Sequence, residues 1–236
     1  MEPLVLVPGL LCTQTLYAPQ IVAFADRQIL VADHRGHDSI AAIARDVLTA
    51  APDRFALCGL SMGGYIALEI LRQAPERVSR LALLDTNARA DTPEQTERRN
   101  VLIRLTEDRG FARVPELLYP GFVHENRRDD AELKATVVEM AEETGPDAFI
   151  RQTRAIIGRM DSRPFLPQIT CPTLVLVGAG DTLTPPDLSR EMHGLIPGST
   201  LEIVPDCGHL STLEAPGAIT AALKCWIGST SAFSPR

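Results

Sequence analysis

The 236-residue chain has no apolar run approaching the roughly 18 residues that a membrane-spanning helix requires. Its start, MEPLVLVPGLL, lacks a basic segment and its apolar run is broken by Pro8, so it reads as the opening strand of a domain and not as a signal peptide. Cys-x-x-Cys is absent. The five cysteines (Cys12, Cys58, Cys171, Cys207 and Cys225) are odd in number and widely spaced, which argues against a disulfide framework or a bound metal and fits free thiols in a reducing cytoplasm. No Gly-Lys-Ser/Thr phosphate loop is present, and no G-x-G-x-x-G follows a strand-like segment, so no cofactor is expected. Positive charge is also short. With 23 basic against 30 acidic residues the net charge is −7, and the arginines are scattered, so neither nucleic acid nor an anionic membrane suits this chain as its main partner.

What is present is hydrophobic, at 45% of residues, enough for one globular domain with a full core. Short runs rich in Val, Leu and Ile alternate with longer amphipathic segments. The strand candidates are Leu4–Val7, Ile29–Ala32, Phe55–Cys58, Leu81–Leu84, Leu174–Val177 and Leu201–Val204. Helix candidates lie at Thr13–Ala25, Ser39–Ala50, Met62–Gln73, Pro186–Leu195 and Ala215–Ile227. Continuous apolar strands separated by helices predict an α/β fold, a mostly parallel sheet with helices on both faces. The alternation stops once, from 86 to 167, where helical segments near Pro93–Asp108, Phe111–Leu118, Asp130–Thr144 and Pro146–Gly158 follow one another. We read residues 1–85 and 168–228 as the core and 86–167 as a helical cap over the C-terminal edge of the sheet. The small, polar segment 229–236 is expected to be disordered.

The chemistry centres on CGLSMGGY, residues 58–65. GLSMG matches G-x-S-x-G, and its position between a buried-type strand and a helix gives the match its weight. Such a turn holds Ser61 strained and exposed, while Gly59 and Gly63 let strand and helix pass closely; Gly64 is read as packing alone. The bland alternative is a tight turn whose serine caps the helix. A hydroxyl nucleophile needs a base. Of the five histidines, His209 lies in VPDCGHLSTLEAP, just after the last strand; His124 and His193 read as solvated, and His34 and His37 as residues of a turn near the cleft. The imidazole in turn needs a carboxylate. Asp181, in GAGDTLTPP after a strand, is the first choice, and Asp85, ending LALLD, is its competitor. For the oxyanion the expected donors are the backbone N–H groups of Met62 and Leu10, with Leu11 second; the Met62 side chain is read as replaceable.

The blocks VPGLL, DHRGHDS, GLSMGGY, RLALLD, LVLVGAGDTLTPP and VPDCGHLSTLEAP, in this order, resemble the α/β-hydrolase superfamily over nearly the whole chain. The wording of the last two blocks is most similar to the small esterase, enol-lactonase and cofactor-free haloperoxidase branch. The order Ser61, Asp181, His209 is the family's. The resemblance implies an eight-stranded template, a helical cap and hydrolysis through an acyl-enzyme. Three departures stand out: Pro8-Gly9 where the family has His-Gly, Gly36-His37-Asp38 where it has Gly-His-Gly, and only three residues before the first strand. The last leaves about six strands, without the leading edge strands.

The expected activity is hydrolysis of a small carboxylic ester or lactone by a monomer or homodimer. A lyase using the same three side chains, or a ligand receptor with slow turnover, are the alternatives. The only lysines are Lys134 and Lys224, both on predicted helix surfaces, which argues against cyanohydrin cleavage of the kind that uses a pocket lysine. Arg98, Arg99, Arg104, Arg151 and Arg154 are read first as a solvated helix face, and otherwise as contacts for an acidic substrate.

Overall fold

Runs that are apolar at every position can only be satisfied by burial on both faces, and this is how the strands of the chain are used. In the computed structural model, which describes residues 1–228, they are β1 (Leu4–Val7), β2 (Ile29–Val31), β3 (Phe55–Leu60), β4 (Val78–Leu84), β5 (Thr173–Gly178) and β6 (Thr200–Val204). They form one sheet in the order β2-β1-β3-β4-β5-β6, and all five pairings are parallel. Successive side chains go to opposite faces. Val5, Val7, Leu57, Leu83 and Val175 enter one core cluster, and Leu4, Leu6, Ala56, Cys58, Ala82, Leu84, Leu174 and Leu176 enter the other.

Helices cover both faces. On the first lie α2 (Ile40–Ala50), α3 (Met62–Gln73) and α8 (Pro186–Leu195), contributing Ile43, Val47, Ile66, Ile70 and Met192. On the second lie α1 (Ala18–Ala23) and α9 (Pro216–Gly228), the latter with Ile219, Leu223 and Trp226. The single helix expected over 13–25 is instead a 3-10 turn, Gln14–Tyr17, followed by α1, because Pro19 has no N–H to continue the ladder. Among the described residues no helix is long and apolar enough to cross a membrane.

Between β4 and β5 run α4 (Pro93–Leu105), α5 (Val114–Phe122), α6 (Ala131–Thr144) and α7 (Pro146–Ile157). Thr92 and Gln95 close a reciprocal capping box at the start of α4, and Asp130 caps α6 through Leu133 N–H. Past Leu105 the helix loosens through a π-type turn, Thr106–Gly110, with Arg109 at φ 62°. Leu11, Val114, Ala141 and Phe149 form a small core of their own beneath these helices, so the loop after β1 is packed against them. The segment 229–236, expected to be disordered, lies outside the described residues.

The chain leaves β1 outward to β2 and returns to β3 on β1's other side. The C-terminal ends of β1 and β3 are thus the topological switch point, where open parallel sheets leave a crevice.

Candidate active site

Ser61 occupies the one-residue step from β3 into α3, at φ 56° and ψ −116°. A non-glycine residue there is strained by about 1–3 kcal/mol and needs its surroundings to hold it. Those surroundings are backbone. A Cβ on Gly59 would strike the Gly63 carbonyl, and one on Gly63 would strike the carbonyls of Val7 and Pro8. Gly64 makes room for the Thr86 side chain, whose hydroxyl donates to the Ser61 carbonyl at 2.7 Å. Because the atoms opposite Gly63 are backbone and cannot rotate away, Gly63→Ala is expected to cost more than about 3 kcal/mol, seen as a collapse of soluble yield or a lowered thermal midpoint. A midpoint within a degree or two of wild type would show that the turn has slack.

The loops at the ends of β3, β5 and β6 bring Ser61, Asp181 and His209 into one line. His209 Nε2 is 2.8 Å from Ser61 Oγ, and His209 Nδ1 is 2.7 Å from Asp181 Oδ2. Asp181 is nearly buried and well supplied with donors: Leu183 N–H and Thr184 N–H reach Oδ1 at 2.8 and 2.9 Å, and the Thr184 hydroxyl reaches Oδ2 at 2.6 Å. Burial alone would raise its pKa, but the charge and hydrogen bond of His209, with the Thr184 bonds, bring it below the usual carboxylate range. An ionised Asp181 accepts from Nδ1–H, which leaves Nε2 to accept the Ser61 proton. For His209, burial depresses the pKa, yet the Asp181 charge and hydrogen bond more than offset this and hold it above the ordinary value of 6.5. The Phe122 ring stacks beside the imidazole, centroids 6.2 Å apart.

Asp85, the competing acid, does not reach His209. It lies fully buried at the end of β4, accepting from Gly178 N–H at 2.9 Å and from the Ser211 hydroxyl. Burial and the nearby Asp181 charge push its pKa well up, so it keeps its proton to higher pH than a free carboxyl does.

In the loop after β1 the two leucine amides differ in their hydrogen bonding. Leu11, at φ 60°, donates its N–H to Gln152 Oε1 at 3.2 Å and is therefore engaged. Leu10 N–H has no hydrogen bond among the described residues, and Met62 N–H is one of the free donors that open α3. The loop is held without the family's histidine. His34 Nε2–H donates to the Gly9 carbonyl at 2.9 Å, and Tyr17 O–H donates to the Val7 carbonyl at 3.1 Å. His34 is buried and its pKa is lowered by that burial, as a neutral donor requires. The Met62 side chain, read from the sequence as replaceable, is wholly buried in the core and is not free to vary.

The family model described as alpha/beta hydrolase fold matches residues 38–216. The chain belongs to the α/β-hydrolase family. A pimeloyl-acyl-carrier-protein methyl ester esterase of Pectobacterium atrosepticum is 32% identical over 187 residues, covering 75% of this chain and 72% of its own length. An esterase of Thermogutta terrifontis, solved with malate bound, is similar at a TM-score of 0.87 and 30% identity, over 96% of this chain and 89% of that one. An enol-lactonase of Burkholderia xenovorans is similar at a TM-score of 0.87 and 26% identity, over 97% and 92%.

In this α/β-hydrolase a cavity of about 320 Å³ opens above Ser61. Its walls include Leu10, Ser61 and His209 from the loops, and Arg98, Arg99, Leu102, Leu118, Phe122, Phe149 and Thr153 from α4, α5 and α7. Of the five arginines singled out in the sequence, only Arg98 and Arg99 line it. Arg104 pairs with Glu97, Arg154 with Glu107, and Arg151 donates to the Arg35 carbonyl. Arg159, which lines the cavity, gave no signal in the sequence, because its partners Arg89 and Asp91 are distant in the chain. Of the remaining histidines, His37 is exposed beside Asp46 and His193 beside Ser199. His124, expected in solvent, is instead half-buried: its N–H donates to Glu214 Oε2 at 2.7 Å, and its ring rests on Gly180. Glu214 also accepts from Leu210 N–H at 3.1 Å, fastening the His209 loop to the end of α5.

Proposed function

We propose that this α/β-hydrolase cleaves a small carboxylic ester or lactone through an acyl-enzyme on Ser61. The observation that carries the reading is the unbroken hydrogen-bonded line from Ser61 through His209 to Asp181, standing at a strained turn and open to the cavity. His209 takes the Ser61 proton as the oxygen attacks the carbonyl carbon, and the imidazolium is stabilised by Asp181. The N–H groups of Met62 and Leu10 receive the oxyanion, and the N-terminal end of α3 adds its field. Collapse of the tetrahedral adduct passes the His209 proton to the leaving alcohol. Water, deprotonated by the same imidazole, then releases the acid and restores the serine. The helices α4–α7 act as the cap, providing the walls that orient the ester and exclude bulk water. The esterase and enol-lactonase relatives support this reaction class.

A fluorophosphonate probe is expected to attach once per chain, at Ser61, with loss of fluoride, and simple p-nitrophenyl esters, which the protein turns over many times, should slow that labelling by competing for the site. Labelling at another residue, or one turnover and no more, would overturn the proposal, the second outcome marking a receptor.

A further inference from the structure

In a chain with a net charge of −7, the cavity above Ser61 is lined by three arginines and by no aspartate or glutamate. Arg99 Nε donates to Asp91 Oδ2 at 3.0 Å, and Arg159 Nη1 donates to Oδ1 of the same carboxylate. Asp91 is only 1% exposed at its side chain, so it is committed to this pair and balances one of the three positive charges. Arg159 is itself nearly buried. Nε–H donates to the Arg89 carbonyl at 2.9 Å, Nη1 reaches the Ile156 carbonyl at 2.9 Å, and the Tyr65 ring lies 4.4 Å from its Cζ. Its Nη2 makes no hydrogen bond among the described residues. Arg98 makes no ion pair there either, and Glu94, one turn earlier, lies in its field. The Thr153 hydroxyl, buried and also without a partner, lines the same wall.

Removing guanidinium charge from water is costly unless an anion compensates it; here Asp91 is shared by Arg99 and the nearly buried Arg159, which leaves that pair one negative charge short, and the exposed Arg98 adds a solvated positive charge at the cavity wall. The planar fork of arginine matches a carboxylate in two parallel bonds. Leu102, Leu118, Phe122, Phe149, Ile156 and Leu183 add apolar wall that suits a short methylene chain, beside the polar Asn87, Gln95, Thr182 and Thr184. We infer that the substrate carries a second carboxylate, remote from the scissile carbonyl and held by Arg98, Arg99 and Arg159, which makes the preferred class half-esters or lactones of dicarboxylic acids. This rests on the ester-cleavage reading and adds the acid to it.

The test compares monoethyl glutarate with ethyl pentanoate, which have the same number of acyl carbons, by the rate of ethanol release. Wild type is expected to favour the anionic ester by about 10–100-fold in kcat/KM, as one or two charge-assisted bonds provide. Arg98→Gln should lower that ratio about tenfold, and Arg104→Gln, whose arginine lies outside the cavity, should leave it unchanged. The preference should shrink in high salt, since Arg98 is exposed. Equal turnover of both esters by wild type would overturn the inference and leave the hydrolase reading standing. If neither ester is cleaved, p-nitrophenyl ester turnover decides the hydrolase reading and calorimetry decides the carboxylate site. Glutarate binding to Ser61→Ala protein that weakens about tenfold with Arg98→Gln supports it. No binding, or competition by inorganic phosphate and not by glutarate, overturns it.

Discussion

Replacing Ser61 with alanine is expected to lower ester turnover by about 10⁵–10⁶-fold while leaving the fold intact. The Oγ that would be lost sits 2.8 Å from His209 Nε2, and no other side chain hydroxyl stands in that position. Alanine must adopt the same φ of 56°, so the strain of the turn is unchanged and the thermal midpoint should move little. On the proposed mechanism residual activity should remain above that of water, because the Met62 and Leu10 amides would still receive the oxyanion. Glycine at the same place separates the two roles. It carries no Cβ penalty at positive φ, so Ser61→Gly should be equally inactive yet about 1 kcal/mol more stable than wild type. Ester turnover by purified Ser61→Ala within tenfold of wild type would remove the serine from the mechanism. A Ser61→Gly protein less stable than wild type would show that the turn is not strained as its dihedral indicates.

The central strands could be read from the sequence because a parallel sheet buries both their faces, which makes runs such as β1, β3 and β5 apolar at nearly every position. Leu4–Val7 and the helix Met62–Gln73 have the expected bounds. β4 begins three residues earlier than expected, at Val78, because Ser79 and Arg80 look polar and only backbone pairing recruits them. Ser61, Asp181 and His209 could be singled out because Ser61 follows β3 directly and the other two lie in the loops leaving β5 and β6, whose C-terminal ends share one edge of a parallel sheet. The support around them was not. Gln152 meets the loop after β1 across 141 residues, His34 meets Gly9 across 25, and Arg159 meets Asp91 across 68. Such contacts depend on where α7 and the loops settle in three dimensions, and no spacing rule along the chain encodes that. Pro8 shows the same limit. The sequence marks the loss of a histidine, while only the packed structure shows that His34 and Tyr17 secure the loop from the side.

The two buried aspartates should respond oppositely to the same change. Asp181→Asn is expected to lower kcat by about 10⁴-fold, because an amide cannot stabilise the imidazolium and its NH₂ group favours the wrong imidazole tautomer. It should also move the pH profile. Activity requires neutral His209, so the acid limb marks its pKa, which the Asp181 charge holds above 6.5 in the wild type against the opposing effect of burial. Without that charge burial prevails, and the limb should shift to lower pH. Asp85→Asn should leave activity within a few-fold of wild type, because Asp85 does not reach His209, and asparagine can still accept from Gly178 N–H while the Ser211 hydroxyl, which donates to Asp85, turns to accept from the amide NH₂. Its signature lies in stability. The folded chain holds a proton on Asp85 that the unfolded chain releases near pH 3.8, so the wild type is favoured most below that pH and loses stability as the pH rises toward the folded pKa, by about 1.4 kcal/mol for each unit. Asparagine does not titrate, so denaturant melts should show the variant gaining on wild type as the pH rises from 4 to 8. If Asp85→Asn abolished turnover and Asp181→Asn spared it, the base would be served by the other acid, and the line from Ser61 to Asp181 would not be the catalytic one.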